Sequence, residues 1–128
     1  MIVLDENIPA SQCERLKRWR TTFRQIGGEL GQNGMDDDQI VPLLLRLDRP
    51  TFFKLDEDFY NRRLCYERYC LVHLAVSETQ VADYVRRILR HAQLNTKAKR
   101  AGRVLRASPG GLTGWQPHQV RDRYISWR

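Results

Sequence analysis

An α/β domain with a mainly parallel central sheet is the fold class the sequence predicts, and three observations predict it. Ile2-Val3-Leu4 and Cys70-Leu71-Val72-His73-Leu74-Ala75-Val76 are almost unbroken apolar runs, the pattern of strands covered on both faces. Val81, Tyr84, Val85, Ile88 and Leu89 recur at i, i+3, i+4, i+7 and i+8, the period of an amphipathic helix. Strands that alternate with helices along a chain pair in parallel through crossovers.

Taken in order, Ile2-Val3-Leu4 is the first strand and ends in Asp5-Glu6. Asn7 suits a helix cap and Pro9 a first helical turn, so residues 9–20 are expected to be helical, with Cys13, Leu16 and Trp19 on one face. Thr21-Thr22-Phe23 with Ile26 reads as a second strand, broken by Gly27, Gly28, Gly31 and Gly34. Asp36-Asp37-Asp38 precede an apolar stretch of helical length, Ile40 to Leu47, and acids at a helix start accept its free N–H groups. Pro42 belongs only near a first turn, so the helix is expected to start later than the acids or to open with a distorted turn.

Thr51-Phe52-Phe53-Lys54-Leu55 is the third strand and delivers Asp56 and Asp58, after which residues 61–68 are polar and irregular. The 70–76 run is expected at the centre of the sheet, and Ser77-Glu78-Thr79-Gln80 has the spacing of a capping box for the helix that follows. Beyond His91 the pattern weakens. Residues 103–107 are expected as an edge strand and Ser108-Pro109-Gly110-Gly111 as a turn, with loop to Gly114. The reading divides the chain into a core over 1–91 and a basic C-terminal segment over 92–128.

Charge supports that division. The chain has 128 residues and a net charge of +7, yet residues 1–91 balance 14 Lys and Arg against 14 Asp and Glu. The whole surplus lies in residues 92–128, where Lys97, Lys99, Arg100, Arg103, Arg106, Arg121, Arg123 and Arg128 face one acid, Asp122. A basic appendage on a neutral body points to a polyanion, with a solvated extension as the plainer alternative. No window has the about 20 apolar residues of a membrane span, and the start carries no signal-peptide pattern. Cys13, Cys65 and Cys70 form no CxxC pair and read as reduced, mostly buried thiols of a cytoplasmic protein.

The chemistry is expected where the acids gather. In open α/β sheets ligands collect beyond the carboxyl ends of the strands, and Asp5 and Asp56 would emerge together there. Two carboxylates about 4 Å apart repel by roughly 4 kcal/mol at an effective dielectric near 20, which a proton or a cation relieves. Oxygen donors without His or Cys suit Mg²⁺ or Mn²⁺, ions that acidify water and offset charge on a phosphate. His73, inside an apolar strand, reads as a core histidine. His91 and His118 lack zinc spacing, and no Ser, Cys or Lys lies in a nucleophile motif. Trp115 and Trp127, beside Arg121 and Arg123, suit base stacking or core packing.

Leu4-Asp5-Glu6-Asn7-Ile8-Pro9, Asp37-x-x-Ile40 and Leu55-Asp56-Glu57-Asp58-Phe59, in that order and spacing, resemble the compact bacterial PIN-like domains, relatives of the VapC-type toxin ribonucleases. The resemblance covers roughly residues 1–91. It implies a PIN-like three-layer α/β/α sandwich, extended here by the basic segment, and Mg²⁺- or Mn²⁺-dependent hydrolysis of RNA phosphodiesters. By motif position Asp5, Asp37, Asp56 and Asp58 would be catalytic and would hold the metal, with Glu6 beside them. RNA would be gripped by Lys54, Lys97, Lys99, Arg100, Arg103, Arg106, Arg121 and Arg123. A toxin role, a cognate antitoxin and a homodimer follow from kinship. Two positions depart from the pattern. Lys54 stands where relatives carry a small hydroxyl residue, and its ammonium can tether a carboxylate, contact phosphate or replace the metal; Pro42 interrupts the helix behind Asp37. The alternatives are a silent PIN-like module that binds nucleic acid or protein, and a phosphorelay receiver-like domain, which would need a lysine beside a proline after its last core strand.

Overall fold

The computed structural model describes residues 1–128, and a seven-stranded sheet runs through its centre. Strands β1 (Ile2–Leu4), β2 (Arg24–Gln25), β3 (Thr51–Lys54), β4 (Cys70–Leu74) and β5 (Val104–Ser108) are parallel, in the spatial order β2-β1-β3-β4-β5. Antiparallel strands β6 (Gly111–Trp115) and β7 (Arg123–Ile125) continue the sheet beyond β5. Helices α1 (Ala10–Arg18) and α3 (Val81–Arg90) cover one face and α2 (Asp37–Leu45) the other, while the short α4 (Lys97–Arg100) leads into β5. The fold is α/β with a mixed, mostly parallel sheet between helices.

Each face is a row of side chains set by strand register. Leu4, Phe53, Val72 and Leu105 stand side by side beneath Leu16, Val85 and Ile88. On the opposite face Val3, Phe52, Leu71 and Val104 meet Ile40 and Leu44 of α2. Full burial of one such side chain contributes about 1.5–3 kcal/mol, so these two rows are the main reason the sheet closes between its helices. The next row, one residue further along, reads Lys54, His73, Arg106, Thr113 and Tyr124, and polar groups there mark the end of the α2-side core.

Several elements differ from expectation. Pro9 occupies the cap position of α1 and Asn7 lies outside the helix. The second strand shrinks to Arg24–Gln25 at the sheet edge. Helix α2 does begin at the acids: Asp36 caps it, and its N–H donates to Gln39 Oε1 at 3.0 Å. Pro42 then sits well inside α2. It lies on the exposed side, so the Asp38 carbonyl left without an N–H partner is at the solvent face, which makes the interruption tolerable.

The C-terminal segment departs most. Residues 104–108 are not an edge strand: β5 lies between β4 and β6, and residues expected as loop form β6. Two glycines hide this strand, because they remove the alternation from which strands are read. Gly111 has φ +142°, and the Tyr124 ring packs where a side chain would stand. At Gly114 an added Cβ would lie 2.1 Å from the Val104 carbonyl oxygen, so β6 lies against β5 only without one. Gly114→Ala is therefore expected to lower stability by about 1–3 kcal/mol, the usual cost of overpacking. A wild-type midpoint for this variant in urea would contradict the tight β5–β6 approach.

Candidate functional site: a lysine among carboxylates

Strand order reverses between β1 and β3, and the crevice beyond their C-terminal ends is where open α/β sheets bind ligands. Asp5 follows β1 and its N–H donates to the Phe53 carbonyl at 3.0 Å, which ties the end of β1 to β3. Gln25 of β2 fixes the loop behind it, donating from Nε2 to the carbonyls of Asp5 and Ile8 at 3.1 and 3.2 Å. Sequence reasoning missed Gln25. Its only signal was an amide in an edge strand beside a loop of acids.

Lys54, the last residue of β3, is the centre of the site. Alternation along the strand puts it on the same face as Phe52, under α2, so its stem is buried and only the ammonium reaches the crevice. Nζ donates to Asp37 Oδ1 at 2.9 Å and lies 3.3 Å from Asp56 Oδ1 and 3.9 Å from Asp58 Oδ2. It also sits 4.7 Å from the centre of the Phe59 ring, a cation–π contact. Asp37 comes from the first turn of α2. Asp56 and Asp58 come from the turn after β3, where Asp56 Oδ1 accepts the Asp58 N–H at 3.2 Å. Three sequence-predicted acids thus converge, and Lys54 stands between them, the carboxylate-tethering role that the sequence offered among its alternatives.

Asp5, just past the end of β1, makes no ion pair with Lys54 but lies near enough for the charges of Lys54 and Asp56 to act on it. It is only 4% exposed, and burial raises its pKa above the usual carboxylate value, against the pull of Lys54 and of the Asn7 and Glu6 N–H groups. Burial alone would lower the Lys54 pKa, but its bond to Asp37 and the charges of Asp56 and Asp37 carry it above an ordinary lysine. Asp58 is raised chiefly by the charge of Asp56, despite Lys54 nearby. Four carboxylates against one ammonium leave the site short of positive charge. In kind, these hard oxygen donors suit Mg²⁺ or Mn²⁺. As they stand, they fan around Nζ, and no three His, Cys, Asp or Glu side chains are arranged to ligate one ion. Glu6 is not among them: both its carboxylate oxygens accept the Gly34 N–H, at 2.9 and 3.0 Å.

The basic residues named from sequence scatter. The side chain of Lys54 is 7% exposed and committed to the acids, so it does not offer RNA a surface contact. Arg100 is buried, donating to Thr51 Oγ1 at 2.8 Å and to the Leu94 carbonyl at 2.9 Å, and is a structural group. Lys97 pairs with Asp48, and Lys99 donates to the Ala92 carbonyl and Asn95 Oδ1. Arg106, Arg121 and Arg123 are exposed with no acidic partner, and Arg103 gives only its Nε, to the Lys99 carbonyl. Of these, Arg106 is nearest the acids in register, two strands from Lys54 in the same row.

His73 lies between them in that row, buried, its pKa lowered first by burial and then by Arg106, and its Nδ1 has no partner. Tyr60 covers this part of the sheet: its ring is 4.7 Å from Trp115 and 6.5 Å from His73, and its hydroxyl meets Thr113 Oγ1 at 2.9 Å. Both tryptophans with alternative readings pack into the fold, Trp127 donating Nε1 to the Ser108 carbonyl at 2.7 Å. The three cysteines are unpaired, and burial pushes the Cys70 thiol up to about 12, which keeps it protonated and unreactive. No family model matches the chain, and no curated protein or solved structure matches it.

Two outcomes follow from these charges. Lys54→Met leaves three carboxylates crowded without a cation and is expected to cost about 1–3 kcal/mol. That is less than the about 3–5 of a fully buried pair, because solvent screens the half-exposed acids. Unchanged denaturant stability would mean the ammonium contributes nothing. For Asp5 the raised pKa means the folded state holds the proton more tightly than the unfolded chain. Ionised Asp5 therefore weighs against folding above its folded pKa, and the burden lifts as pH falls through it. Asp5→Asn is expected to raise the melting temperature at pH 7 and to lose that advantage on acidification; a gain independent of pH would refute the assignment.

Proposed function

We propose that the chain is a PIN-like, Mg²⁺- or Mn²⁺-dependent endoribonuclease, the cytoplasmic toxin of a toxin–antitoxin pair. One observation carries the reading: acids from two separate stretches, Asp37 and the turn holding Asp56 and Asp58, meet on one ammonium at a parallel-sheet edge, with Asp5 near enough for the charge of Asp56 to act on it. Asp37, Asp56 and Asp58 would hold the ion, with Asp5 behind them. A divalent ion bound there acidifies a water molecule and offsets charge on the phosphate.

The chain's own residues supply the rest. Lys54 keeps the carboxylates in place and lends a fixed positive charge beside the scissile group. Arg106, exposed and unpaired, is the residue to grip a neighbouring phosphate and set the register of the strand. The phosphorelay alternative asks for a lysine after the last parallel strand, whereas β5 ends in Ser108-Pro109.

A second reading has one contact in its favour. Lys54 Nζ already bonds Asp37 and lies against Asp56, so the ammonium itself can serve as the resident cation of a silent PIN-like module. Melting curves with millimolar Mn²⁺ separate the two readings. The nuclease reading expects a rise of the wild-type midpoint that Asp56→Asn abolishes, since an ion bound only to the native state stabilises it. It also expects cleavage of a mixed RNA pool that stops with chelator and in Asp56→Asn. A wild type indifferent to Mn²⁺, with a rise appearing only in Lys54→Thr, would establish the silent module instead.

A further inference from the structure

We propose that the cavity between Arg103 and Arg123 is a binding site for a nucleotide phosphate, separate from the carboxylates and independent of the nuclease reading. The cavity measures about 280 Å³. Its floor includes Gly114, Leu105 and Ile125, and the last two belong to the α1/α3 side of the sheet, whereas Lys54 projects on the α2 side. Arg103 precedes β5, two residues before Leu105, and Arg123 of β7 is opposite Gly114 in the row of Leu105 and Phe53, four strands from β3. Four strand spacings of about 4.8 Å put Arg123 about 19 Å across the sheet from Lys54, and on the opposite face, so one ligand phosphate cannot touch both sites.

Charge argues for an anion. No Asp or Glu lines the cavity. Arg103 is half-buried and uses only Nε, donating to the Lys99 carbonyl at 3.0 Å, and both its terminal nitrogens are free. Arg123 has no partner in the chain. Two guanidinium groups on one cavity repel each other until an anion joins them, and their planar forks match phosphate oxygens bidentately. The nearest acid in sequence, Asp122, is turned away toward the Tyr60 hydroxyl.

Amides argue for a nucleotide over a bare anion. Gln119 spends its Oε1 on the Gln116 N–H at 3.0 Å and keeps its NH₂ free, while the side chains of Gln93 and Gln116 bond nothing. Free amides can pair with a base edge. The volume of about 280 Å³ falls just below the about 300–1,000 Å³ of ligand sites, which limits the occupant to the scale of a mononucleotide. The same chemistry is carried by a free nucleotide and by the 5′-phosphorylated end of an RNA chain.

Calorimetric titration in chelator tests the site, with AMP, a 5′-phosphorylated RNA hexamer and inorganic phosphate as probes. Wild type is expected to bind AMP and the hexamer more tightly than phosphate. Arg123→Gln is expected to weaken both about tenfold or more, the loss of one charge-assisted contact. Arg121→Gln, an exposed arginine outside the cavity, and Asp56→Asn are expected to bind as wild type. A hexamer held far more tightly than AMP identifies the chain end as the ligand, and equal affinities identify the free nucleotide. Wild type that binds neither, Arg123→Gln that binds both unchanged, or phosphate held as tightly as AMP would each overturn the proposal. Loss of nuclease activity in Asp56→Asn with intact AMP binding keeps the two sites distinguishable.

Discussion

The start of α2 and the turn after β3 bring carboxylates that would push one another apart, and the ammonium of Lys54 lets them close on a single edge of the sheet. The repulsion shows at Asp58, whose pKa the charge of Asp56 raises despite Lys54 nearby. Nζ answers Asp37, Asp56 and Asp58 at once. It is held there by its buried stem and by the Phe59 ring, which itself packs on Phe52 at 5.6 Å. The hydrophobic core on the α2 side thereby fixes the position of a charge, and the charge fixes the loops.

Parallel pairing explains why this happens at one place. With β1, β3, β4 and β5 in parallel, every strand delivers its last residue to the same edge, and register aligns these residues in rows. The row Val3, Phe52, Leu71, Val104 is apolar because α2 covers it. The row Lys54, His73, Arg106 is polar because it runs out from beneath that cover. Moving the lysine one residue along β3 would put it in the α1/α3 core, where no carboxylate waits and burial of the charge would be prohibitive.

Much of this was legible in sequence, and what was not has definite causes. Strands β1, β3 and β4 announce themselves because each is covered on both faces, and α3 because its apolar stripe is regular. The convergence of Asp37, Asp56 and Asp58 followed from order and strand ends alone. For Lys54 the sequence left three roles open: tethering a carboxylate, contacting phosphate or replacing the metal. Only the strand's facing, which turns its stem inward, brings the ammonium to the centre of these acids. Pro42 misled in the other direction: a rule about lost hydrogen bonds overlooks a carbonyl that water can reach. Strand β6 was hidden by glycines whose reason lies across the sheet, in the Val104 carbonyl and the Tyr124 ring. Nothing local reveals such a partner.

The basic segment shows why charge counted along a chain is a poor map of charge in space. Residues 92–128 hold the whole positive excess, yet they are spent in different ways once folded. Arg100 braces the start of β3 from inside by bonding Thr51, and Lys97 ties α4 to Asp48. Arg103, Arg106, Arg121, Arg123 and Arg128 have guanidinium groups with no acidic partner, and the fold separates them. Arg106 faces the row that leads to the carboxylates, whereas Arg103 and Arg123 share a cavity at the far end of β5. A single smeared polyanion surface would have scattered these groups over an exposed tail. Arg103 immediately before β5 and Arg123 in β7 are held at a set separation by the sheet, and fixed separation is what lets arginines select a ligand by shape as well as by charge.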